Sequence, residues 1–585
     1  MLHPQTNETR ECVNLNGLWK FAADKRDEGL AHDWGSGLPD RGVWMPVPAS
    51  YNDLTQDPAL RGHVGAVWYE REAWVPRAWR GRRVVLRVGA ASHHATVWWD
   101  GRKVTEHQGG FLPFEADLTE LCGTEGPHRL VIRVDNRLSW QTLPPGVVRH
   151  DGDFPTSGSQ PRQEYFHDFF NYAGIHRAVT LYSTPGRHIA AIRAIPFEEN
   201  GGTGFDCAAD VAGGGGKVKW RLLDEEGGVV TGMEGAAGRM SLSSPRRWNP
   251  GDPYLYTLEA SLDSGDVYRI KTGFRIVEVD GDRFLINGRE FYFKGFGKHE
   301  DSDFIGKGHS DAVMIKDFAL LDWCGANSFR TSHYPYAEEI LDHADRTGIV
   351  VIGEAPAVGF NFTPQHYRPL FHEGRVDENT RAHHLQTIRE MIARDLHHPS
   401  IVAWSLANEA ATQEPASRDY FLPVVEEARA LDASRPVTIV MSAFPDADHV
   451  GDLVDFICVN RYYGWYHDVG RLETIRPNLE AELRGWHARY GKPLLLSEYG
   501  ADALAGLHLD PAEMFSEEFQ VEVLRETHAV LDRLPFIIGE HVWNFADFAT
   551  SQGLKRAGGN KKGVFTRQRQ PKLAAHELKK RWRSA

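Results

Sequence analysis

Ile401-Val402-Ala403-Trp404-Ser405-Leu406-Ala407-Asn408-Glu409 is an apolar run of strand length that ends in a carboxylate. Leu494-Leu495-Leu496-Ser497-Glu498-Tyr499-Gly500 repeats the form, with Glu498 closing the run. Six further β-like runs lie around them: Phe291-Tyr292-Phe293, Ser328-Phe329-Arg330, Ile349-Val350-Val351-Ile352, Val437-Thr438-Ile439-Val440, Phe456-Ile457-Cys458-Val459 and Phe536-Ile537-Ile538. Helical patterns separate most of these runs. Within 383–396, Leu385, Ile388, Met391 and Ile392 fall on one face, and Pro399 follows as a stop. Eight strand-like runs alternating with helices over about 300 residues predict a (β/α)8 TIM barrel from residue 278 to 585.

In such a barrel the chemistry sits at the C-terminal ends of the strands. A strand interior cannot take an unpaired charge without a cost of several kcal/mol. A polar residue that closes a strand faces the site instead, and Glu409 and Glu498 both do so. Two opposed carboxyls there can carry out glycoside hydrolysis, one as acid and the other as nucleophile or base. The competing account makes both glutamates structural ion-pair partners at the barrel mouth.

Upstream the pattern is different. Val84-Val85-Leu86-Arg87-Val88, Ala95-Thr96-Val97-Trp98-Trp99 and Leu130-Val131-Ile132-Arg133-Val134 are short β-rich runs, with turn signals at Asp100-Gly101 and from Gly123 to Pro127. Long helical patterns are scarce before residue 300. Residues 1–184 are therefore expected to form a β-sandwich of the jelly-roll type. Lys217-Val218-Lys219-Trp220-Arg221-Leu222 alternates like a half-buried strand. Gly213 to Gly216 is a loop without the Lys-Ser/Thr of a phosphate cradle. Residues 185–277 fit a small immunoglobulin-like β-sandwich. The expected fold class is a multidomain α/β chain with these three domains in order.

The chain has 585 residues and a net charge of −14, from 66 Lys and Arg against 80 Asp and Glu. That balance argues against nucleic acid as a partner. Hydrophobic residues make up 41%, which excludes a disordered chain. The five cysteines, at 12, 122, 207, 324 and 458, show no close pairing and read as free thiols of a reducing compartment. Residues 1–11 lack the apolar core of a signal peptide, and no run approaches the roughly 20 apolar residues that span a bilayer. The expectation is a soluble, cytoplasmic protein with no membrane partner. Among 28 histidines the pairs His93-His94, His383-His384 and His397-His398 stand out. No metal-ligand pattern contains them, so they are read as surface or helix-end residues, and no metal is expected.

Longer motifs sharpen the reading. They include Asn16-Gly17-Leu18-Trp19-Lys20-Phe21, the stretch from Tyr165 to Arg177 around His167-Asp168-Phe169, and Arg330-Thr331-Ser332-His333-Tyr334. Others are Asn460-Arg461-Tyr462-Tyr463-Gly464-Trp465-Tyr466, Val542-Trp543-Asn544-Phe545 and Gly558-Gly559-Asn560-Lys561-Lys562-Gly563. With these the chain resembles the β-glucuronidases of glycoside hydrolase family two along nearly its whole length. The resemblance implies a retaining exo-β-D-glucuronidase acting on small-molecule β-glucuronides without a cofactor. It implies that Glu409 is the acid/base and Glu498 the nucleophile. Asn408 would bond the sugar 2-OH, and Tyr462 would orient the nucleophile. Asn560 and Lys562 would hold the uronate carboxylate, with Arg556 and Tyr466 near the C5–C6 side and O4. His333 and Asp168 would meet sugar hydroxyls, and Trp543 would offer its ring face. Lys562, Asn560 and Arg556 would thus make a local basic pole in an acidic protein. A homo-oligomer, commonly a tetramer, is implied as well.

Two alternatives stand beside this. One keeps the reaction and changes the sugar, giving a β-galacturonidase or a β-galactosidase-like enzyme. The other is a non-catalytic carbohydrate-binding protein. The segment from Gly359 to Thr380, with Tyr367, Phe371 and His372, is short where relatives carry an aglycone-covering loop. The connection from Ala443 to Asp448 is brief too. Both bear on the leaving group and leave the sugar contacts untouched.

Overall fold

The computed structural model describes residues 1–40, 42–123, 126–149, 161–199, 201–361 and 369–583. Thr124 and Glu125 of the expected turn, and Tyr367, lie outside the described residues.

The barrel is closed and built from eight parallel strands. They are β1 (Phe293–Gly297), β2 (Ser328–Arg330), β3 (Val350–Glu354), β4 (Ile401–Ala410), β5 (Val437–Met441), β6 (Ile457–Asn460), β7 (Leu494–Glu498) and β8 (Ile537–Val542). β1 pairs with both β2 and β8, which shuts the ring. Helices cover the strands: α1 (Asp311–Cys324), α2 (Glu338–Thr347), α3 (Glu378–Asp395), α4 (Ala416–Leu431), α5 (Ile475–Tyr490), α6 (Glu517–Leu531) and α7 (Leu573–Arg583). With water excluded from both faces, the strands carry apolar runs instead of alternation. β4 is buried along its length except at Glu409.

Two details depart from the expected repeat. β1 starts at Phe293, because Phe291 hydrogen-bonds back to Phe284 and packs edge-on against Phe293. β5 reaches β6 with only a 3-10 turn at Pro445–Ala447 in place of a helix. Ile388, Met391 and Ile392 of α3 face the core, while Leu385 is only partly buried.

The N-terminal sandwich packs a six-stranded sheet on a four-stranded one around Trp19, Tyr69, Leu86, Trp99 and Ile132. The next unit packs sheets of three and four strands around Trp220, as in an immunoglobulin-like sandwich. Trp220 is fully buried and donates to the Gly235 carbonyl at 2.9 Å. Truncating such a tryptophan to alanine costs about 3–5 kcal/mol. This unit is pinned to the barrel's N-terminal end. Arg275 donates to the carbonyls of Pro399 and Ile401, and Trp248 donates to that of Asp345.

The N-terminal sandwich reaches the other end, where the strands finish. Phe170 N–H donates to the Ala549 carbonyl at 2.8 Å, and Arg177 donates to the Pro335 carbonyl at 2.7 Å. These bonds carry Asp168 to the barrel mouth.

The paired histidines correct the surface reading. His93, His383, His384 and His398 are buried. Each ring finds a partner far along the chain: His93 with Asn171, His383 with the Gln141 carbonyl, His384 with the Leu406 carbonyl and His398 with Asp345. Burial would lower His398, but the Asp345 carboxylate at 2.6 Å raises it to about 9. His397 and His398 follow the last turn of α3 directly, and the His398 N–H donates to the Asp395 carbonyl at 3.1 Å, so the pair does stand at a helix end.

Candidate active site

Four strand ends converge on the two glutamates. Glu498 is the last residue of β7 and is buried. Its Oε1 accepts from Arg330 Nη2 at 2.5 Å, and its Oε2 accepts from Tyr462 Oη at 2.6 Å. Glu409 stands next to the end of β4, with φ of 51°. That left-handed backbone is unfavourable for a residue with a Cβ and is found where a site over-determines it. Glu409 Oε1 accepts from Asn460 Nδ2 at 2.9 Å.

The electrostatics separate the two groups. Burial raises both carboxyls above the ordinary range. Glu498 receives two direct hydrogen bonds, one of them from a cation, which favours its charged form. Glu409 receives one bond from a neutral amide. Against those two bonds, burial first and the Glu409 charge after it still push Glu498 up to about 8. Burial, rather than the field of Glu498, is the leading cause of the upward shift at Glu409.

Asn408 Oδ1 accepts from Arg330 Nη1 at 3.3 Å and Asn460 Nδ2 at 3.2 Å, which fixes the amide's orientation. His333 Nδ1 bonds Glu354 at 2.8 Å, and its ring stacks on Trp543 with centroids 5.0 Å apart. A glycine at 297 makes room for that indole: a Cβ there would come within 2.5 Å of Trp543.

The loop after β8 supplies a second cluster. Lys562 is buried, its ammonium held by Asp502 and by Tyr466 Oη at 2.9 Å. The Asn560 amide donates to Asp168 at 2.8 Å. Arg556 makes a two-point pair with Asp168 at 2.8 and 2.5 Å and reaches Tyr466 Oη at 2.7 Å. Both cations thus have carboxylate partners, so the expected basic pole is a balanced cluster: Arg556 and Lys562 face Asp168 and Asp502.

All eleven residues singled out from the sequence lie at this end of the barrel, in two clusters that meet where the Tyr462 and Tyr466 rings pack with centroids 5.1 Å apart. The sequence reading assigned no role to Arg330, Glu354, Asn460 or Asp502. The first three close β2, β3 and β6, so the strand-end rule that found the glutamates applies to them too. Asp502 lies past β7 and carries no such signal. At the opposite barrel end, Asp342, Asp345 and His398 lie close enough together to hold a cation. Asp345 there is already bonded by His398 and by the Ser400 N–H.

Comparison with known proteins follows the same division. Residues 12–185 match the sugar binding domain of glycosyl hydrolases family 2, residues 198–275 match a further segment of that family, and residues 277–585 match its TIM barrel domain. A β-glucuronidase of Paenibacillus borealis is 51% identical over 595 residues, covering 100% of this chain and 98% of that one. The structure of a β-D-glucuronidase of Dictyoglomus thermophilum superposes with a TM-score of 0.95 at 48% identity, covering 100% and 99% of the two chains. A Ruminococcus gnavus β-glucuronidase in complex with C6-substituted uronic isofagomine superposes with a TM-score of 0.93 at 37% identity, covering 99% of each. With three segments matched in sequence order and relatives of this identity along its full length, the chain belongs to glycosyl hydrolases family 2.

Proposed function

We propose that the protein is a retaining exo-β-D-glucuronidase, hydrolysing β-D-glucuronides to D-glucuronate and an alcohol. The observation that carries this is the split environment of the carboxyl pair, with Glu498 held by Arg330 and Tyr462 and Glu409 held by Asn460 alone. Glu409 gives its proton to the glycosidic oxygen as Glu498 attacks C1, and the C1–O bond to the leaving group breaks. The product is a glycosyl ester on Glu498 and a free alcohol. Glu409 is then ionised and takes a proton from water, which attacks C1 and releases Glu498. Asn408 bonds the sugar 2-OH, a contact that strengthens as charge develops at C1.

The uronate carboxylate is read by Asn560 and Lys562, with Arg556 and Tyr466 beside them. His333 and Asp168 receive sugar hydroxyls, and Trp543 lies against the apolar ring face. The names of the relatives support the sugar, as does the C6-substituted uronic isofagomine in complex with the Ruminococcus gnavus protein. No step calls for a cofactor. The proposal includes domain limits of 1–184, 185–277 and 278–585, a homotetramer and a cytoplasmic location. No helix among the described residues is long and apolar enough to cross a membrane.

Four chromogenic substrates test it: β-glucuronide, β-galacturonide, β-glucoside and β-galactoside. The glucuronide should be turned over fastest. Faster turnover of galacturonide moves the enzyme to the other uronic acid. Binding without turnover of any substrate leaves a carbohydrate-binding protein.

A further inference from the structure

Glu354 closes β3 and is fully buried, outside the carboxyl pair. Its two oxygens accept from Arg330 Nη1 at 2.8 and 2.6 Å, from His333 Nδ1 at 2.8 Å and from Ser405 Oγ at 2.8 Å. Its own N–H donates to Thr331 Oγ1 at 2.8 Å. Both basic partners also face Glu498. Arg330 Nη2 bonds Glu498 Oε1 at 2.5 Å, and His333 Nε2 lies 3.8 Å from the same oxygen. One buried anion therefore holds, from behind, the two groups that line one side of Glu498.

We infer that Glu354 is a positioning residue for the nucleophile. It shares the charge of Arg330 with Glu498 and fixes the His333 proton on Nδ1, so that Nε2 turns a lone pair toward the pocket. This rests on the reading of Glu498 as the nucleophile.

The physical argument has two parts. A guanidinium whose only carboxylate was Glu498 would stabilise that anion fully and make it a weaker attacker of carbon. With Glu354 on its other edge, Arg330 orients Glu498 and holds it less tightly. For the imidazole, burial lowers His333 and Glu354 raises it, with a net shift below the usual value, so the ring is neutral at neutral pH. A neutral ring has one proton, and the carboxylate at 2.8 Å takes it on the Nδ1 side.

Among the described residues, Cys458 of β6 lies in the field of Arg330 and Glu354, His541 of β8 in that of Arg330, and His167 in that of His333. Arg330 of β2, His333 after β2, Tyr462 after β6 and Glu409 of β4 face Glu498. Arg330, His333 and the hydroxyl of Ser405 face Glu354. His333 also has His299 against its ring and Asp168 within its field.

The test compares Glu354→Gln and Glu354→Asp with the unaltered enzyme, reading kcat and KM against pH on an aryl β-D-glucuronide. The acid limb of kcat/KM reports ionisation of the nucleophile in the free enzyme. Glu354→Gln removes a negative charge from behind Arg330, so that limb should move down by about half a unit or more. Glu354→Asp keeps the charge but withdraws the carboxylate by one methylene. The limb should stay in place while kcat falls about tenfold or more and KM changes less than about threefold. An acid limb of Glu354→Gln that overlays the unaltered one overturns the proposal. If that variant does not fold, an unchanged kcat in Glu354→Asp overturns it. An unaltered enzyme that turns over no glycoside fails at the underlying function, and the role of Glu354 falls with it.

Discussion

Asp168, carried by the N-terminal sandwich, accepts two hydrogen bonds from Arg556 of the last barrel loop, at 2.8 and 2.5 Å. The two residues are 388 positions apart in sequence. The pair makes the first domain part of the pocket wall and balances one of its two cations. Asp168→Ala should therefore act on catalysis more than on stability. We expect kcat/KM for a glucuronide to fall about tenfold to a hundredfold, since a charge-assisted bond contributes about 1.5–3 kcal/mol. The melting temperature should move by no more than a few degrees, because the carboxylate is 43% exposed and the pair is partly screened. A double-mutant cycle with Arg556→Ala checks the coupling. Additive effects would mean that the pair is not a functional unit.

On the proposed mechanism, the nucleophile Glu498 and the acid Glu409 are separable by leaving group. Glu498→Ala removes the group that forms the ester and should abolish turnover of every substrate. Glu409→Ala removes only the proton donor and the base. General acid catalysis contributes about 10²–10⁴-fold, so an alkyl glucuronide should lose that much in kcat/KM. A dinitrophenyl glucuronide, whose leaving group needs no proton, should lose far less in its first step. Equal losses on the two substrates would reverse or remove the assignment of Glu409.

The pH profile follows from the same environments. On the proposed mechanism, activity requires Glu498 ionised and Glu409 protonated. Burial raises Glu409 above the ordinary carboxyl range and pushes Glu498 up to about 8, which carries both limbs of the active window upward. Activity should fall as pH rises through the Glu409 value and as pH drops through that of Glu498. In Glu409→Gln the alkaline limb should vanish from the residual rate on a dinitrophenyl substrate. A persistent limb would assign it to another group.

These strand-end residues were legible because the physics behind them is local. A parallel strand covered on both faces reads as an apolar run, and a charged or amide residue at its C-terminal end marks the mouth. Glu409 and Glu498 are both of this kind, and so are Arg330, Glu354 and Asn460. The histidines were not legible. Nothing near His384 in sequence indicates the Leu406 carbonyl that satisfies it, nor near His398 the Asp345 carboxylate. The charge balance of the pocket was hidden for the same reason. Asp168 and Asp502 neutralise Arg556 and Lys562 only after folding brings together segments from two domains.

The buried pair His398–Asp345 gives a stability prediction of its own. The imidazole moves from 6.5 to about 9 on folding. A raised folded value adds stability that is complete below about 6.5 and fades as pH rises through about 9. His398→Gln keeps hydrogen bonding without the charge. Its melting temperature should lie furthest below that of the unaltered protein near pH 6 and approach it near pH 9.5. A constant difference across that range would show that the charge of His398 contributes nothing.

On the proposed function, Lys562 reads the carboxylate of the sugar. Its ammonium is fully buried between Asp502 and the Tyr466 hydroxyl, with the Tyr466 ring centroid 4.5 Å away. A buried lysine cannot exchange its partners for water, so a carboxylate on the substrate competes with protein groups alone. Lys562→Met keeps the apolar stem and deletes the charge. The loss should fall on uronides. The glucuronide-to-glucoside ratio of kcat/KM should drop about tenfold to a hundredfold while the glucoside rate changes little. Asp502 then keeps Arg556 Nη1, 3.7 Å away, as its remaining cation, so the variant also needs a melting measurement to separate misfolding from lost recognition. A folded variant with an unchanged ratio would take the carboxylate away from Lys562 and leave it to Asn560 and Arg556.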